Sequence, residues 1–278
     1  MTITSRVPVG INEVHNLHSV TKSFVATLVF IAIDEGKIGS LNDSVFGYFP
    51  DYQQPDRAAK QRITIKNMLD MSTGYALNEL SVPYTSYANP NRRHVNAKDL
   101  RKVFLNEKLA FEPGSKFVYS GMSTVGLSKV IEAVYDKPFA KVMKEKLFNP
   151  LGITDYQWIP QYGSGEPGAD WGLRLRSRDM EKFGRMWLNK GMFNGQQVVA
   201  KHWLNEVRKS EFPGYKTGYG MHFWHVNEAG NALAAFGHGE QYIVVLPHKN
   251  AVIVTTAGNY HIQGQPTLEL VTEIANNL

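Results

Sequence analysis

Ser19-Val20-Thr21-Lys22, followed at once by the apolar run Phe24 to Ile33, is the stretch on which the reading of this chain turns. If Ser19 opens a helix, Lys22 lies one turn on and on the same face, so its amine can reach the serine hydroxyl. That sets a nucleophile beside a base. A serine hydroxyl is a poor nucleophile at neutral pH, whereas a lysine in a dry pocket gives up its proton more readily and can then take the serine's. The helix that follows is apolar on all sides, through Phe24, Val25, Leu28, Val29, Ile31 and Ile33, and such a helix belongs in the interior. The same four residues also fit a plainer role, in which Ser19 caps the helix and Lys22 runs along the surface to water. Context has to separate the two.

The chain of 278 residues is long enough for one large domain or two lobes sharing a core. Its 43% hydrophobic and 20% charged residues are ordinary for a globular enzyme. A net charge of +5 comes from scattered basic residues, apart from Arg174, Arg176 and Arg178, where no aromatic residues interleave. That cluster reads as a solvated face near a helix start, and nucleic acid is not an expected partner. The chain has no cysteine, which excludes disulfides, thiolate chemistry and cysteine zinc sites. Its nine histidines lack metal-site spacing; His222 and His225 fall in a segment that reads as a strand, facing opposite sides. No metal or cofactor is expected. Met1 to Gly10 lacks the pattern of a secretory leader, and Phe24 to Ile33 is half the roughly 20 residues that cross a bilayer. The expectation is a cytoplasmic protein that does not engage a membrane.

The first helix ends near Asp34-Glu35-Gly36, where glycine can close it. Ile63 to Leu69 reads as a threonine-capped helix, Tyr75 to Asn96 as a long polar and aromatic loop able to overhang a pocket, and Ala97 to Leu105 as a helix. Further helices are expected over Thr124 to Val134, Phe139 to Leu147, Arg178 to Leu188, His202 to Val207 and Thr267 to Ile274. Strands come late, at Tyr219 to Val226, Gln241 to Leu246 and Ala251 to Thr256, the last two joined as a hairpin by Pro247 to Asn250. The order implies an α/β lobe from 1–55 and 161–278, with an antiparallel sheet flanked by helices, and an all-helical lobe from 56–160, with a cleft between them.

His18 to Phe24 resembles the nucleophile segment of the penicilloyl serine transferase superfamily: serine β-lactamases, DD-peptidases and their esterase and amidase relatives. The likeness is strongest to the branch with class C β-lactamases, family VIII carboxylesterases and 6-aminohexanoate-dimer hydrolase. Ile65 to Gly74, Phe111 to Gly121, Asn149 to Ile153 and Gly172 to Gly184 resemble that branch's later landmarks in the same order. The resemblance implies that Tyr119, in Tyr119-Ser120-Gly121, is a general acid and base beside Lys22. Relatives usually carry asparagine where this chain has Gly121, which argues against strong β-lactam turnover.

The family's third element is a glycine-containing triad on a strand. Lys216-Thr217-Gly218 is one candidate, read as a turn before the preceding strand. The better placement is Ala235-Phe236-Gly237-His238, followed by a strand and the Pro247 turn. By this resemblance Gly237 lets substrate approach the strand, and the backbone N–H groups of His238 and Ser19 form the oxyanion hole. Glu240 sits where many relatives have glycine, either to favour a substrate amine or to face solvent. Tyr84, Tyr87 and Trp171 are candidate pocket walls.

Relatives place at least two sheet strands before the nucleophile, whereas eighteen residues precede Ser19 here. The expectation is a chain with its N-terminal strands missing, or one completed by a second copy as a homo-oligomer. The function implied is a serine hydrolase that cleaves a small ester or linear amide through an acyl-enzyme. β-Lactamase or DD-peptidase activity is the first alternative, and a catalytically silent binding or scaffold protein the second.

Overall fold

The computed structural model describes residues 10–209, 218–260 and 264–278. At its centre lies helix α1, Thr21–Asp34, with every residue from Thr21 to Ala32 buried. Its apolar circumference is covered from all sides. Phe24 stacks on Phe183 at 3.9 Å between ring centroids, and Phe30 stacks on Trp203 at 4.3 Å. Gly36, at φ +69°, turns the chain out of the helix in the left-handed conformation that glycine tolerates.

Helices follow on one side of α1. They are α2 (Arg57–Lys60), α3 (Ile65–Leu69), α4 (Arg92–Val95), α5 (Leu100–Leu105), α6 (Gly121–Tyr135) and α7 (Phe139–Met143). Thr64 caps α3 through a reciprocal box with Asn67, as its sequence suggests. The Ala97 to Leu105 expectation shortens to α5, because Asp99 accepts from Lys102 N and starts the helix there. Phe139 to Leu147 is α7 for five residues and then widens into a π-turn over Lys144–Phe148.

Strands are more numerous than the sequence patterning suggests. β1 (His15–Asn16) and β2 (Tyr156–Trp158) flank β3 (Leu173–Leu175) in a small antiparallel sheet. Each is two or three residues long, too short to display an alternating pattern. Helix α8, Ser177–Leu188, follows; β4 (Met192–Phe193) and β5 (Gln196–Gln197) then form a hairpin before α9, Trp203–Lys209. The main sheet contains β6 (Gly218–Gly220), β7 (Phe223–Val226), β8 (Ala232–Gly237), β9 (Gln241–Leu246) and β10 (Ala251–Thr255) in the antiparallel order β10-β9-β8-β7-β6. Helix α10, Pro266–Asn277, closes the described chain.

All of β9 is buried because both sheet faces are covered. Ile243 and Val245 face the core shared with α1 and α8, while Tyr242, Val244 and Leu246 face α10, following the two-residue period of a strand. Among the described residues, β1 alone precedes Ser19, and β10 and β6 are the edges of the larger sheet.

Tyr219 to Val226 is not one strand. Met221 and His222 adopt positive φ, 49° and 64°, and fold it into the β6–β7 hairpin. Neither residue is a usual turn former, so local chemistry gives no sign of the break. The turn is held from outside, by His222 N donating to Leu69 O and Met221 N to Asp70 Oδ1, each at 2.9 Å. His222 is buried in this turn, hydrogen-bonded to Thr124 and Tyr219, rather than on a strand face. Lys216 and Thr217 lie outside the described residues, and Gly218 opens β6.

Glu240 faces neither solvent nor a substrate. It is 6% exposed and binds the start of α10, accepting from Thr267 N at 3.2 Å, Thr267 Oγ1 at 2.7 Å and the Asn259 amide. The carboxylate thus satisfies a free N–H at a helix N-terminus. Glu240→Ala leaves these donors unpaired, with an expected loss of about 2 kcal/mol in urea unfolding. Hydrogen exchange should show the loss as faster exchange in α10.

Candidate active site

Ser19 lies in a single 3₁₀ turn, His18–Val20, which feeds directly into α1. The turn begins with His18 at φ +47°, an uncommon conformation for a non-glycine residue, supported by its N–H donating to Asn16 Oδ1 at 3.2 Å. One helical turn on, Lys22 Nζ donates to Ser19 Oγ at 3.1 Å and to the Asp170 main-chain oxygen at 2.7 Å. Lys22 is 2% exposed and does not run to water.

Tyr119 reaches the same point from the loop before α6, its ring centroid 5.3 Å from Lys22 Nζ, and its phenol is electrostatically linked to both Lys22 and Ser19. Its ring is buried among Met71, Phe117, Tyr219 and Trp224, and Ser120 caps α6 immediately after it. The structure therefore brings Ser19, Lys22 and Tyr119 together.

Charge at this site differs from the expectation of a neutral lysine. Burial pulls the Lys22 pKa down, but Tyr119, Asp170 and Glu79 pull it up, and the net value lies above that of an ordinary lysine. Burial likewise lifts the Tyr119 phenol, against the opposing effects of Lys22 and Ser19. Both shifts favour the protonated form of the group concerned. A dry pocket discharges a lysine only when it lacks anions, and this one contains them.

A cavity of about 280 Å³ opens onto Ser19 and Lys22. Tyr84 and Trp171 line it, as expected from their loops, together with His18, His238, Asn91 and Arg92. Tyr87 is not a wall: it is 91% exposed and carries the Arg92 guanidinium 5.0 Å above its ring. The loop from Tyr75 to Asn96 does form one side of the cavity. It is pinned by Glu79 N donating to Tyr119 O at 2.9 Å and Gly121 N donating to Glu79 Oε1 at 2.5 Å.

Gly237 stands at the end of β8, beside the Ser19 turn. A Cβ there would sit 2.2 Å from Leu17 O, so the glycine admits the nucleophile's own approach segment, a closer neighbour than any substrate. His238 follows at the cavity mouth, exposed, with its ring edge-on to His18 at 5.7 Å. Burial, with smaller contributions from His238, His15 and Lys22, pushes the His18 pKa down to about 4.

Sequence reasoning missed Glu79, His94, Gln161 and Asp170. His94 Nε2 donates to Asp170 Oδ2 at 2.9 Å across 76 positions of sequence, a separation that no local motif spans. The one available signal was Glu79, an acid in an aromatic loop already marked as long.

A helical and antiparallel-sheet fold with a serine and lysine at the mouth of a buried helix defines the class of β-lactamase-like and penicillin-binding-protein-like hydrolases. The chain belongs to the Beta-lactamase family, whose description matches residues 2–266. This is a family of serine hydrolases that includes amidases and esterases. The chain is 26% identical over 266 residues to 6-aminohexanoate-dimer hydrolase of Paenarthrobacter ureafaciens, covering 86% of this chain and 65% of that protein. It is 26% identical over 140 residues to Protein flp of Staphylococcus aureus strain MRSA252, covering 50% of this chain and 27% of that one. The chain thus spans between about a quarter and two thirds of these relatives. Among solved structures, a Bacillus anthracis protein described as a candidate 6-aminohexanoate-dimer hydrolase superposes with a TM-score of 0.84 at 19% identity, covering 96% of this chain and 74% of that one. No helix among the described residues is long and apolar enough to cross a membrane.

Gly237→Ala tests the contact that seats the nucleophile. The added methyl group must displace the Leu17 carbonyl, so Ser19 moves off the end of β8. We expect reactivity at Ser19 to fall by about 10²-fold, as for a misplacement of roughly 1 Å, and thermal stability to drop. Calorimetry and covalent labelling of Ser19 read the two effects separately.

Proposed function

We propose that this chain is a serine hydrolase that cleaves a small ester or linear amide through an acyl-enzyme on Ser19. The observation that carries the reading is the contact of Lys22 Nζ with Ser19 Oγ at 3.1 Å, with the Tyr119 ring 5.3 Å from the same Nζ. Ser19 Oγ forms a bond to the substrate carbonyl carbon, and its proton passes to the Lys22–Tyr119 pair. Collapse of the tetrahedral intermediate breaks the bond to the leaving oxygen or nitrogen, which takes that proton from Tyr119. Water then attacks the acyl-enzyme, releases the acid and returns a proton to Ser19. The backbone N–H groups of Ser19 and His238 are the donors assigned to the developing oxyanion, on the strength of the Ser19 turn packing against the end of β8.

The charge state of the pair adds one requirement. A cationic Lys22 beside a neutral Tyr119 has no site for the serine's proton, so the reactive form is the pair with one proton fewer, shared between amine and phenol. An ester or linear amide is favoured over a β-lactam. Gly121 offers no side-chain amide to hold a lactam substrate, and Ala235 is a buried sheet residue. Arg92 and Asn91 line the cavity instead.

Hydrolysis of p-nitrophenyl esters should be abolished in Ser19→Ala and fall by at least about 10²-fold in Lys22→Ala and Tyr119→Phe. Unchanged rates in Ser19→Ala or Lys22→Ala refute the assignment. In the wild-type chain, kcat/KM should rise as pH increases above neutrality, because the free enzyme must lose a proton from a lysine held above its ordinary pKa. A profile that peaks below neutral pH contradicts the shared-proton form.

A further inference from the structure

Glu79, His94, Gln161 and Asp170 are buried beside the nucleophile, and the reaction above uses none of them. Asp170 is the junction. Its main-chain oxygen accepts from Lys22 Nζ at 2.7 Å, while its carboxylate accepts from His94 Nε2 at 2.9 Å and from Gln161 Nε2 at 2.8 Å. Gln161 Oε1 in turn accepts from Trp171 Nε1 at 3.0 Å. His94 and Asp170 are 1% and 3% exposed. A buried ion pair contributes little stability compared with apolar packing of the same volume, but it fixes direction well.

Gly121 makes room for the pair. A Cβ at that position would lie 2.2 Å from Asp170 Oδ2 and 3.0 Å from His94 Nε2. A side chain two residues after Tyr119 and the His94–Asp170 pair therefore exclude each other. We propose that His94–Asp170 is a positioning unit for Ser19 chemistry. It fills the space that Gly121 leaves open, and it anchors the Asp170 main chain so that its carbonyl holds the Lys22 ammonium against Ser19 Oγ. This rests on the acyl-enzyme reading above.

The unit also sets charge. Around Lys22 stand Tyr119 from the loop before α6, Glu79 from the loop before α4, Asp170 from the loop before β3, and the neutral imidazoles of His18 and His222. His94 sits behind Asp170. Burial opposes charge on both partners, yet each stabilises the other, so His94 is held above and Asp170 below its ordinary pKa. The ionised Asp170 is one of the groups that raise Lys22.

The test is the rate at which a fluorophosphonate labels Ser19 in the full chain, followed by intact-mass spectrometry across pH; fluoride leaves as Ser19 Oγ bonds to phosphorus. Gly121→Ala and His94→Ala should label about 10²-fold more slowly than wild type. His94→Gln, which can still donate to Asp170, should recover part of that loss. Asp170→Asn keeps the shape and removes the carboxylate charge that helps to raise Lys22, so its alkaline limb should move to lower pH. Combining Gly121→Asn with Asp170→Gly should label faster than either single variant. The proposal is overturned if Asp170→Asn leaves both rate and limb unmoved, or if Gln at 94 gives no advantage over Ala. Should His94→Ala not fold, the isosteric Asp170→Asn decides. Absence of any Ser19 adduct in the wild-type chain overturns the acyl-enzyme reading instead, whatever the variants do.

Discussion

An ammonium group buried at the start of an apolar helix is the constraint around which this molecule is arranged. Lys22 cannot be solvated there, so its charge must be balanced by protein atoms. The Asp170 carbonyl, the Tyr119 phenol and the Glu79 carboxylate do this from three separate stretches of chain. Each is brought in by a different device: Asp170 by its bonds to His94 and Gln161, Tyr119 by an aromatic cluster and the Ser120 cap, and Glu79 by its backbone bond to Tyr119. The site is thus a charge-balancing problem solved by long-range contacts, with the chemistry following from how little freedom remains to Lys22.

Glycine supplies the other half of the arrangement, because two of the closest approaches in the site leave no room for a Cβ. Gly237 lets β8 meet the Leu17 carbonyl and so fixes where the Ser19 turn begins. Gly121 leaves a space that the Asp170 carboxylate fills. A third such contact, Gly184 of α8 against Val252 and Ile243, sets the distance between helix and sheet. In each case the residue matters for what it admits rather than for its own flexibility.

Much of this architecture could be read from the sequence where the signal was local. The buried α1, the Thr64 cap, the Pro247 to Asn250 hairpin and the nucleophile segment each announce themselves within a few residues. What escaped was what tertiary contacts impose. The Met221-His222 turn has no turn residues and exists because α3 offers it two acceptors. The strands β1 to β3 are too short to show a period. Glu240, which the resemblance left between a substrate amine and solvent, serves α10. The charge on Lys22 depends on Asp170 and Glu79, remote in sequence, so a motif alone gives the residue and not its protonation.

The clasp at the β6–β7 turn has a mechanical consequence. Its backbone is tied to Leu69 and Asp70 at the end of α3, while the His222 oxygen accepts from Ser23 on α1 at 2.6 Å. Sheet, central helix and helical block are riveted at one buried spot beneath the cleft. A hinge through this point would have to break all three bonds at once.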